Sequence, residues 1–554
     1  MLVVGLGPVG AVAANLAGAA GLRTIVLDRD LQPYVKPRAI VFDAEIMRVF
    51  ASIGLAEAVA GVTRPLGGSV YLGADLKPIR TFRSPGPAHA GASHPSNLFY
   101  QPQLEAILRD GLTRFPSVDV RLGQEVQSVR QEGGVCVAAA AGRNGETLEI
   151  EAPIVLACDG ASSTVRKVLG IALDDIGFEE RWLVVDTFMR GPMRWPDTHQ
   201  IPDEVRDGRY SLMVCDPARP ATLIPGVGEH RRWEYMLRPQ ETDEEVTDAR
   251  WLRREIAAWV DPGDVEIVRS AVYRFRGLVA HRWREGGVFL MGDAAHQTPP
   301  FFGQGMCHGI RDAAQLFWKL GLVRAGAASD ALLDSYQVER EPHVRAIVNA
   351  SVAAGAAVCK TDPEEAHARD EEFRAIEVAR AGAAVAMTDV VPPIRAGIID
   401  PVTGGGRLPE FVVHDTAGAL RRLDDLLGGR FAIVSGRASE GGAPILPAAW
   451  DRLGGRRIEV GSHGAWRDVD GRFDTWLRSV GAAAAIVRPD RYVYGLTPDA
   501  GALEAASVAT EVNRDDGARV AVPSSVVPSK NCTVPLGALP ELADGSSMRT
   551  VAVA

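Results

Sequence analysis

The first 30 residues change from a strand-like to a helix-like pattern and back again. The segment MLVVGLGPVGAVAANLAGAAGLRTIVLDRD contains a short apolar run, a glycine-rich turn, a small-residue stretch with helical spacing and a second apolar run. This order predicts a strand–helix–strand unit at the start of an α/β domain. The first strand is short or begins upstream, and the turn at residues 5–10 leaves no room for a signal peptide before it.

The pattern changes over residues 178–275, where short apolar runs such as WLVVDTFM and RWEYML are separated by proline, glycine and charged clusters. It predicts an antiparallel sheet inserted into the α/β domain. Residues 306–360 have helical periodicity, and a new unit with strand-like runs begins near residue 400. The predicted parts are residues 1–177 and 276–360 for the two halves of the α/β domain, 178–275 for the sheet, 361–399 for a helical linker and 400–554 for a last domain.

Composition and charge narrow the classes of function. The 554 residues are 46% hydrophobic and 23% charged, with a net charge of −10, which is typical of a globular protein and argues against nucleic-acid binding. No run of 18 apolar residues occurs, so no membrane span is expected. The six cysteines lie far apart without CxxC or metal-type spacing. This favours reduced thiols in a cytoplasmic protein and no metal site.

The turn GLGPVG at residues 5–10 has the spacing of a dinucleotide-binding fingerprint. Its glycines permit a tight turn and close approach of the backbone, and the next helix offers free N–H groups to a pyrophosphate. Asp28 ends the following apolar run, 28 − 10 = 18 residues after Gly10, near the ~20 at which an acid meets a ribose. The motif alone is weak, and a glycine turn without a ligand is the alternative.

Two further motifs each follow an apolar run: DGASSTVR at residues 159–166 and GDAAHQTPPFFGQGM at residues 292–306. An acid at a strand end can accept hydrogen bonds from ligand hydroxyls. The glycine pair in the second motif keeps the start of the next helix free of side chains, where the helix dipole would stabilise an anion such as reduced flavin. The alternatives are an ordinary strand–turn–helix junction and a proline–glycine loop before a core helix.

Together the three motifs resemble those of the class A flavoprotein aromatic hydroxylases, most closely the 3-(3-hydroxyphenyl)propionate hydroxylases. KPRAIVFD at 36–43, FYQPQLEAIL at 99–108 and IRDAAQLFWKL at 310–320 support the resemblance over residues 1–350. RPDRYV at 488–493 is similar to the RPDGYV of the C-terminal domain in phenol-hydroxylase relatives, with Arg491 in place of glycine. The resemblance implies an α/β fold: a Rossmann-like FAD-binding domain with substrate-side elements near 70–100, an inserted antiparallel-sheet substrate domain, and a C-terminal thioredoxin-like domain without CxxC.

The resemblance also implies which residues contact FAD. Cys307 stands where many relatives have asparagine, which matters little if only its backbone N–H is used. The implied contacts are Gly5, Gly7, Pro8, Val9 and Gly10 at the pyrophosphate, Asp28 at the adenosine ribose with the adjacent Arg29, Arg38 and Gln101 at the phosphate and ribityl chain, Asp159 and Gly160 in the motif that relatives use for both FAD and nicotinamide, Gly292 and Asp293 at the ribityl side, and Pro299, Gly303, Gly305, Met306 and Cys307 at the isoalloxazine.

The reaction implied by the resemblance begins with reduction of FAD by NAD(P)H. A flavin C4a-hydroperoxide formed with O2 then hydroxylates a phenolic aromatic acid such as 3-(3-hydroxyphenyl)propionate. Because the chain has one credible dinucleotide fingerprint, NAD(P)H is expected to dock transiently as a co-substrate. A tailoring hydroxylase of a polycyclic aromatic natural product is the alternative, and the relatives suggest a homodimer. A plain NAD-dependent dehydrogenase is disfavoured by the two later motifs. A non-catalytic flavin-binding protein is a further alternative, which steady NADH oxidation dependent on an added phenol would exclude.

Activation of a phenol ring requires removal of its hydroxyl proton, so a base is expected near the substrate. Asp43 matches an acid of the hydroxyphenylpropionate relatives and is the candidate catalytic base, with a helix-start or surface aspartate as an equal alternative. A substrate carboxylate calls for an arginine. Arg219 of the inserted sheet is the candidate for this contact, with a solvated surface arginine as the alternative. Tyr235 of the same sheet is a candidate substrate-binding residue and could equally be a core aromatic. His296 is expected to be a structural hydrogen-bonding residue.

Overall fold

The computed structural model describes residues 1–33, 38–89, 91–195, 200–380, 391–436, 448–461, 465–468 and 470–497. The start of KPRAIVFD, the alanine-rich part of the predicted linker and the end of the last predicted domain lie outside these residues. No helix in the described part of the chain is both long and apolar enough to cross a membrane.

Residues 1–170 form the first half of the α/β domain and two strands of a second sheet. In chain order the elements are β1 (Leu2–Val4), α1 (Pro8–Ala19), β2 (Thr24–Asp28), β3 (Val41–Asp43), α2 (Ala44–Ser52), α3 (Ala56–Ala60), β4 (Thr63–Pro65), β5 (Gly68–Leu72), β6 (Pro78–Arg83), β7 (Ser96–Phe99), α4 (Gln101–Leu112), β8 (Val118–Leu122), β9 (Gln124–Glu132), β10 (Val135–Gly142), β11 (Thr147–Ala152), β12 (Val155–Ala157) and α5 (Thr164–Val168).

Two long strands connect this half to the rest of the molecule. The elements that follow are β13 (Leu173–Met189), α6 (Asp203–Arg206), β14 (Tyr210–Val214), β15 (Ala221–Pro225), β16 (His230–Met236), α7 (Asp243–Thr247), α8 (Ala249–Ile256), β17 (Val265–Ala280), β18 (Arg284–Glu285), β19 (Val288–Leu290), β20 (His296–Gln297), α9 (Gly305–Arg324), α10 (Ser335–Val358) and α11 (Pro363–Arg380). Short 3-10 helices span Pro262–Asp264, Gly292–Ala294, Pro300–Phe302 and Asp330–Asp334.

The last part of the described chain is a smaller α/β unit. Its elements are β21 (Val412–His414), β22 (Leu420–Arg422), α12 (Leu423–Leu427), β23 (Ala432–Ser435), α13 (Ala448–Arg452), β24 (Arg456–Glu459), β25 (Arg467–Asp468), α14 (Arg472–Ser479), β26 (Ala484–Val487) and β27 (Val493–Thr497).

The first sheet has the strand order β18–β19–β12–β1–β2–β8. β19, β12, β1, β2 and β8 are mutually parallel, and their buried residues form one core with α1 and α9. The carboxyl ends of parallel strands meet at one edge of a sheet, where α/β proteins bind ligands. The turn at residues 5–10, Asp28, the motif from 159 and the motif from 292 therefore all leave the sheet at the same edge.

The second sheet has the order β20–β17–β13–β16–β15–β14–β5–β6, and its strands pair antiparallel except for the parallel pair β14–β5. It includes the predicted 178–275 region but extends over residues 173–280 and recruits β5 and β6 from the first half of the chain. Alternate residues divide its faces. We call the face with Leu183, Trp233 and Tyr235, which packs on α7 and α8, the outer face. The face with Trp182 and Met236, which packs against Phe301, is the inner face.

The C-terminal unit contains a four-stranded sheet of order β24–β23–β26–β27. β23 and β24 are parallel, and the other two pairs are antiparallel. Phe431, Trp450 and Ile486 of this unit share a core with Trp318 of α9. The helix that follows the third sequence motif is therefore buried between the two α/β units.

Candidate active site

The turn between β1 and α1 uses its three glycines differently. Gly5 has φ 95°, and a Cβ on it would lie 2.4 Å from the carbonyl oxygen of Cys158. A Cβ on Gly10 would lie 2.0 Å from the carbonyl oxygen of Gly5, whereas one on Gly7 would meet no described atom within 4 Å. Gly7 also begins α1 without a side-chain cap. The free N–H groups of α1 therefore face open space beside Gly7, which fits a pyrophosphate.

Asp28 and a cationic side chain lie beside this turn. Asp28 Oδ2 accepts a hydrogen bond from the Leu6 N–H at 2.5 Å, and Oδ1 accepts one from the Asp30 N–H at 2.7 Å. The guanidinium of Arg109 donates to the Leu6 carbonyl at 3.1 Å. Sequence reasoning missed Arg109, which suits a phosphate by its charge. Arg29 is largely exposed at the end of β2, 3.8 Å from Asp30.

One face of α4 presents a polar row of Gln101, Glu105 and Arg109 at helical spacing, in which the first two are buried and Arg109 is partly buried. Gln101 donates to Glu105 Oε1 at 2.6 Å, and its own Oε1 is buried without a partner among the described residues. Burial raises the pKa of Glu105. The unpartnered amide oxygen of Gln101 fits a ligand hydroxyl, as expected. Sequence reasoning missed Glu105 and Arg109, although their spacing of four residues along FYQPQLEAILRD indicates that they share a helix face with Gln101.

The second and third motifs are joined through a buried arginine. Asp159 Oδ2 accepts a hydrogen bond from the Val165 N–H at 3.1 Å, and Oδ1 is buried without a partner in the described structure. Arg166 donates to the carbonyls of Ala161 and Ala294 at 3.0 Å each. Gly160, with φ 80°, provides the turn between Asp159 and this contact. The free Asp159 oxygen is available to a cofactor.

The start of α9 is as open as the start of α1. Gln304 precedes it without a side-chain cap, and a Cβ on Gly305 would meet no described atom within 4 Å. A Cβ on Gly309 would lie 2.4 Å from Val9 and 2.9 Å from the Gly292 Cα. These small residues hold the N-terminal parts of α1 and α9 against each other, so that both helices can contact one cofactor.

The loop before α9 positions the remaining predicted contacts. Pro299 is buried, and Gly303 ends the 3-10 turn with φ 63°. Met306 is partly buried on the core. Cys307 is fully buried and its Sγ donates to the Gly303 carbonyl at 3.7 Å, so only its backbone N–H can reach a ligand and the exchange for asparagine leaves that group intact. Asp293 lies 3.7 Å from Arg38, with both side chains partly exposed.

Asp312 of α9 binds the segment that contains Gly292 and His296 to this helix. Its Oδ2 accepts hydrogen bonds from the Gly292 N–H at 3.0 Å and from His296 Nε2 at 2.8 Å, and its Oδ1 accepts one from Arg340 at 2.9 Å. Although burial alone would raise it, His296 and Arg340 hold the pKa of Asp312 below its usual range. His296 is thus a buried structural partner, in agreement with expectation, while Asp312 was missed.

Asp43 does not have the environment of a substrate base. Its Oδ1 caps α2 by accepting hydrogen bonds from the N–H groups of Glu45 and Ile46 at 3.1 and 3.3 Å, and its Oδ2 is paired with Arg311 of α9. Both oxygens are engaged in a site that is 1% exposed. This environment is that of the helix-start alternative, and a role of Asp43 as the catalytic base stays a prediction.

Arg219 and Tyr235 are also not brought to the flavin-side loops. Arg219 makes a two-fold contact with Glu241 at 2.7 and 2.8 Å, lies 3.7 Å from Glu255 and stacks on Trp251 of α8. Tyr235 packs on the same tryptophan in the outer-face core. In the described structure both side chains contact Trp251 of α8, and both substrate-binding assignments stay predictions.

The inner face carries the polar residues that sequence reasoning missed. Arg232 is paired with Asp186, with Nε 2.8 Å from Oδ1, and donates to the backbone carbonyl of Arg38. Glu234 lies two residues further along β16 and is 8% exposed. Burial raises the pKa of Glu234 to about 7. An acid that titrates near neutral pH in a buried position is characteristic of functional sites.

Two family models match the chain, one over its larger N-terminal part and one over its C-terminal unit. Residues 1–351 match a family model described as an FAD binding domain, and residues 405–511 match one described as the HcaD C-terminal domain. The chain is 34% identical over 514 residues to a protein of Rhodococcus jostii (strain RHA1) named probable NADH-specific resorcinol 4-hydroxylase, covering 90% of this chain and 92% of the relative. It is 33% identical over 540 residues to 3-(3-hydroxy-phenyl)propionate/3-hydroxycinnamic acid hydroxylase of Burkholderia cenocepacia (strain HI2424), covering 90% and 94%.

Solved structures with the same fold include flavoenzymes with bound FAD. The flavin-dependent monooxygenase PieE, in complex with FAD and substrate, superposes with a TM-score of 0.75 at 23% identity, covering 92% of this chain and 98% of the other. Aklavinone-11 hydroxylase, in a ternary complex with FAD and aklavinone, gives a TM-score of 0.73 at 23% identity with the same coverage. At this identity the likeness concerns the fold, and it confirms the mixed α/β architecture of an FAD-binding monooxygenase.

Proposed function

The chain belongs to the FAD-dependent aromatic hydroxylases, and from that premise we propose that it hydroxylates a phenol with a single ring. FAD is its cofactor and NAD(P)H its reductant. The relatives at 33–34% identity are named for resorcinol and for 3-(3-hydroxy-phenyl)propionate. This supports a one-ring substrate over the polycyclic alternative, because the aklavinone enzyme shares only 23% identity.

One observation carries the proposal: the inner face of the second sheet meets two segments that are expected to contact the flavin. Arg232 on this face donates to the Arg38 carbonyl, and Trp182 packs edge-on against Phe301 at 5.9 Å between ring centroids. A substrate ring on the inner face between these contacts would lie beside the flavin. Packed aromatic side chains around it would exclude water, which protects a reactive oxygen-transfer step.

When bound, FAD supplies the redox chemistry, namely reduction by NAD(P)H and delivery of one oxygen atom of O2 to the ring. The chain's own groups bind and orient it. The N-terminus of α1 and Arg109 would bind the pyrophosphate. The unpartnered oxygens of Gln101 and Asp159 would accept hydrogen bonds from its hydroxyls, and the N-terminus of α9 would favour negative charge at the ring edge.

The last domain is proposed to be thioredoxin-like and structural. Its β23–α13–β24 unit followed by the hairpin of β26 and β27 supports this assignment. The sequence of residues 400–554 contains one cysteine, Cys532. Because a dithiol requires two cysteines, we propose no redox role for this domain.

The test combines a spectrum with a coupled assay. We expect the purified protein to carry FAD, and we expect resorcinol or 3-(3-hydroxyphenyl)propionate to accelerate NADH or NADPH oxidation with formation of hydroxylated product. Peroxide is measured in parallel. If every one-ring phenol stimulates only peroxide formation, the substrate is larger and the polycyclic alternative replaces this proposal. A protein that cannot be reconstituted with FAD would contradict the cofactor assignment.

A further inference from the structure

A buried carboxylate stands between the two places where the inner face meets the flavin-side loops. Along β16 the inner-face residues are Arg232, Glu234 and Met236. Arg232 contacts the Arg38 carbonyl, and Met236 packs in the cluster that contains Trp182 and Phe301. Alternate residues of a strand are about 7 Å apart, so the backbone of Glu234 lies midway between the two residues of β16 that make these contacts.

Glu234 lacks the hydrogen bonds that a buried carboxylate normally has. Its cross-strand neighbours are Val184 on β13 and Thr222 on β15, and the Thr222 hydroxyl donates instead to the sulfur of Met213 at 3.4 Å. Glu234 is 8% exposed and accepts no hydrogen bond from the described residues. Its carboxylate oxygens are thus available to a donor that a ligand supplies.

The charged groups around Glu234 are paired with one another. Asp186, on the neighbouring β13, binds Arg232 at 2.8 Å and lies 3.1 Å from His230 Nε2. Arg269 of β17 is paired with the same carboxylate. Among the described residues Asp186 thus has three ionic partners, whereas Glu234, the next residue on this face of the sheet, accepts no hydrogen bond and is only attracted by the charge of Arg232.

Two arginines in the described part of the chain border this face, and each is paired with another group or far from Glu234. From the FAD-binding side, Arg38 faces Asp293 at 3.7 Å. Arg80 of β6 lies under Phe373 of α11, four strands away from β16 and thus about 19 Å distant. A substrate bearing a carboxylate would meet the acid Glu234 at the centre of this face.

We propose that Glu234 receives the proton of the substrate's phenolic hydroxyl and that it selects an uncharged phenol over one that bears a carboxylate. In this step the phenol O–H bond breaks and an O–H bond to a Glu234 carboxylate oxygen forms. The electron pair stays on the phenolate oxygen and enriches the ring, with no change in oxidation state. The inference rests on the proposed function and names the substrate class and base of the same site.

The pH dependence follows from the ionisation of this acid. Since burial raises the pKa of Glu234 to about 7, the fraction of the basic form increases as pH rises through 7. Turnover of an uncharged phenol by the wild-type enzyme should therefore rise through that pH. A base with a pKa near the working pH is efficient, and its removal costs about 10²-fold or more.

The experiment compares FAD-loaded wild type with Glu234→Gln, Glu234→Asp and the control Glu266→Gln between pH 5.5 and 9. Glu266 is an exposed carboxylate of the same sheet, paired with Arg190. We expect Glu234→Gln to lower kcat for resorcinol about 100-fold and to lose the rise near pH 7. Its kcat/KM ratio between resorcinol and 3-(3-hydroxyphenyl)propionate should fall about 10-fold. Glu234→Asp should keep the rise at a lower rate, and Glu266→Gln should match wild type.

A binding measurement tests proton transfer from the phenol to Glu234 independently of turnover. Difference spectra of 4-nitrophenol bound to the oxidised enzyme at pH 7 should show the phenolate band with wild type and the neutral phenol with Glu234→Gln. An unchanged pH profile and an unchanged nitrophenol spectrum in a folded Glu234→Gln enzyme would overturn the inference alone. If Glu234→Gln fails to fold, a Glu234→Asp enzyme identical to wild type in rate and profile would overturn it. Absence of phenol-stimulated NADH oxidation in wild type would instead overturn the proposed function.

Discussion

At the scale of single residues, Gly7 and Gly10 of one turn are required for different reasons. A Cβ on Gly7 points into open space, whereas a Cβ on Gly10 would lie 2.0 Å from the Gly5 carbonyl oxygen. We expect the free energy of unfolding of the Gly7→Ala apoprotein to lie within about 0.5 kcal/mol of that of wild type. The same variant should bind FAD at least about 10-fold more weakly, because the methyl group occupies the place of the pyrophosphate. Gly10→Ala should lose about 3 kcal/mol through overpacking.

Urea unfolding of the apoproteins and titration of flavin fluorescence measure the two effects separately. The pair serves as its own control, since the same methyl group is added three residues apart. A stable Gly10→Ala protein together with an unfolded Gly7→Ala protein would contradict this division of roles.

The residue scale also shows how far the site could be predicted. Motif spacing predicted that the turn, Asp159 and Asp293 lie at one edge of the first sheet, because each follows a strand directly. The substrate side depends on which face of β16 meets the loops. HRRWEYM shows that Trp233 and Tyr235 lie opposite Glu234, but only the pairing of distant strands decides which face α7 and α8 cover. The sequence therefore does not decide between Tyr235 and its neighbour Glu234.

At the scale of elements, local patterns predicted the strand–helix–strand opening and the inserted sheet but not the sheet's full membership. β5 and β6 join it through the parallel pairing of β5 with β14, residues 68–72 with 210–214. A pairing across about 140 residues leaves no mark in a local window of apolar and polar positions. A motif match also does not distinguish a helix cap from a base, so the cap that Asp43 forms on α2 could not be separated from a base by its sequence.

The turn before β27 offers a test at this scale. Arg491 has φ 70°, a left-handed conformation that favours glycine, at the position where RPDGYV has glycine. Its side chain compensates by lying 3.0 Å from Asp424. We expect Arg491→Gly to be more stable than Arg491→Ala by about 1 kcal/mol, because both lose the ion pair and only alanine keeps the strained φ. Thermal unfolding of the two variants measures the difference, and equal stability would show that the strain is negligible.

At the scale of the whole molecule, buried ion pairs fasten the C-terminal unit to the FAD-binding half. Asp424 of α12 forms a two-fold contact with Arg48 of α2 at 2.6 and 2.7 Å, and both side chains are buried. Although burial opposes it, Arg48 and then Arg491 lower the pKa of Asp424 to about 2. A carboxyl with a lowered pKa contributes stability above its unfolded pKa of about 3.9 and loses it as the pH falls towards 2.

We therefore expect acid to weaken the attachment of the C-terminal unit between about pH 4 and pH 2, by about 2 kcal/mol from this one group. Asp424→Asn should lose about 3–5 kcal/mol at pH 7, because Arg48 and Arg491 remain buried without their counter-charge, and it should show a flatter pH dependence in that window. Asp425→Asn is the matched control, since the neighbouring Asp425 is exposed in its pair with Arg422 and such pairs contribute less than about 1 kcal/mol. Urea unfolding from pH 2 to 7 measures the free energy of unfolding of wild type and both variants. If Asp424→Asn loses as much stability in acid as wild type does, the acid sensitivity belongs to another buried carboxylate.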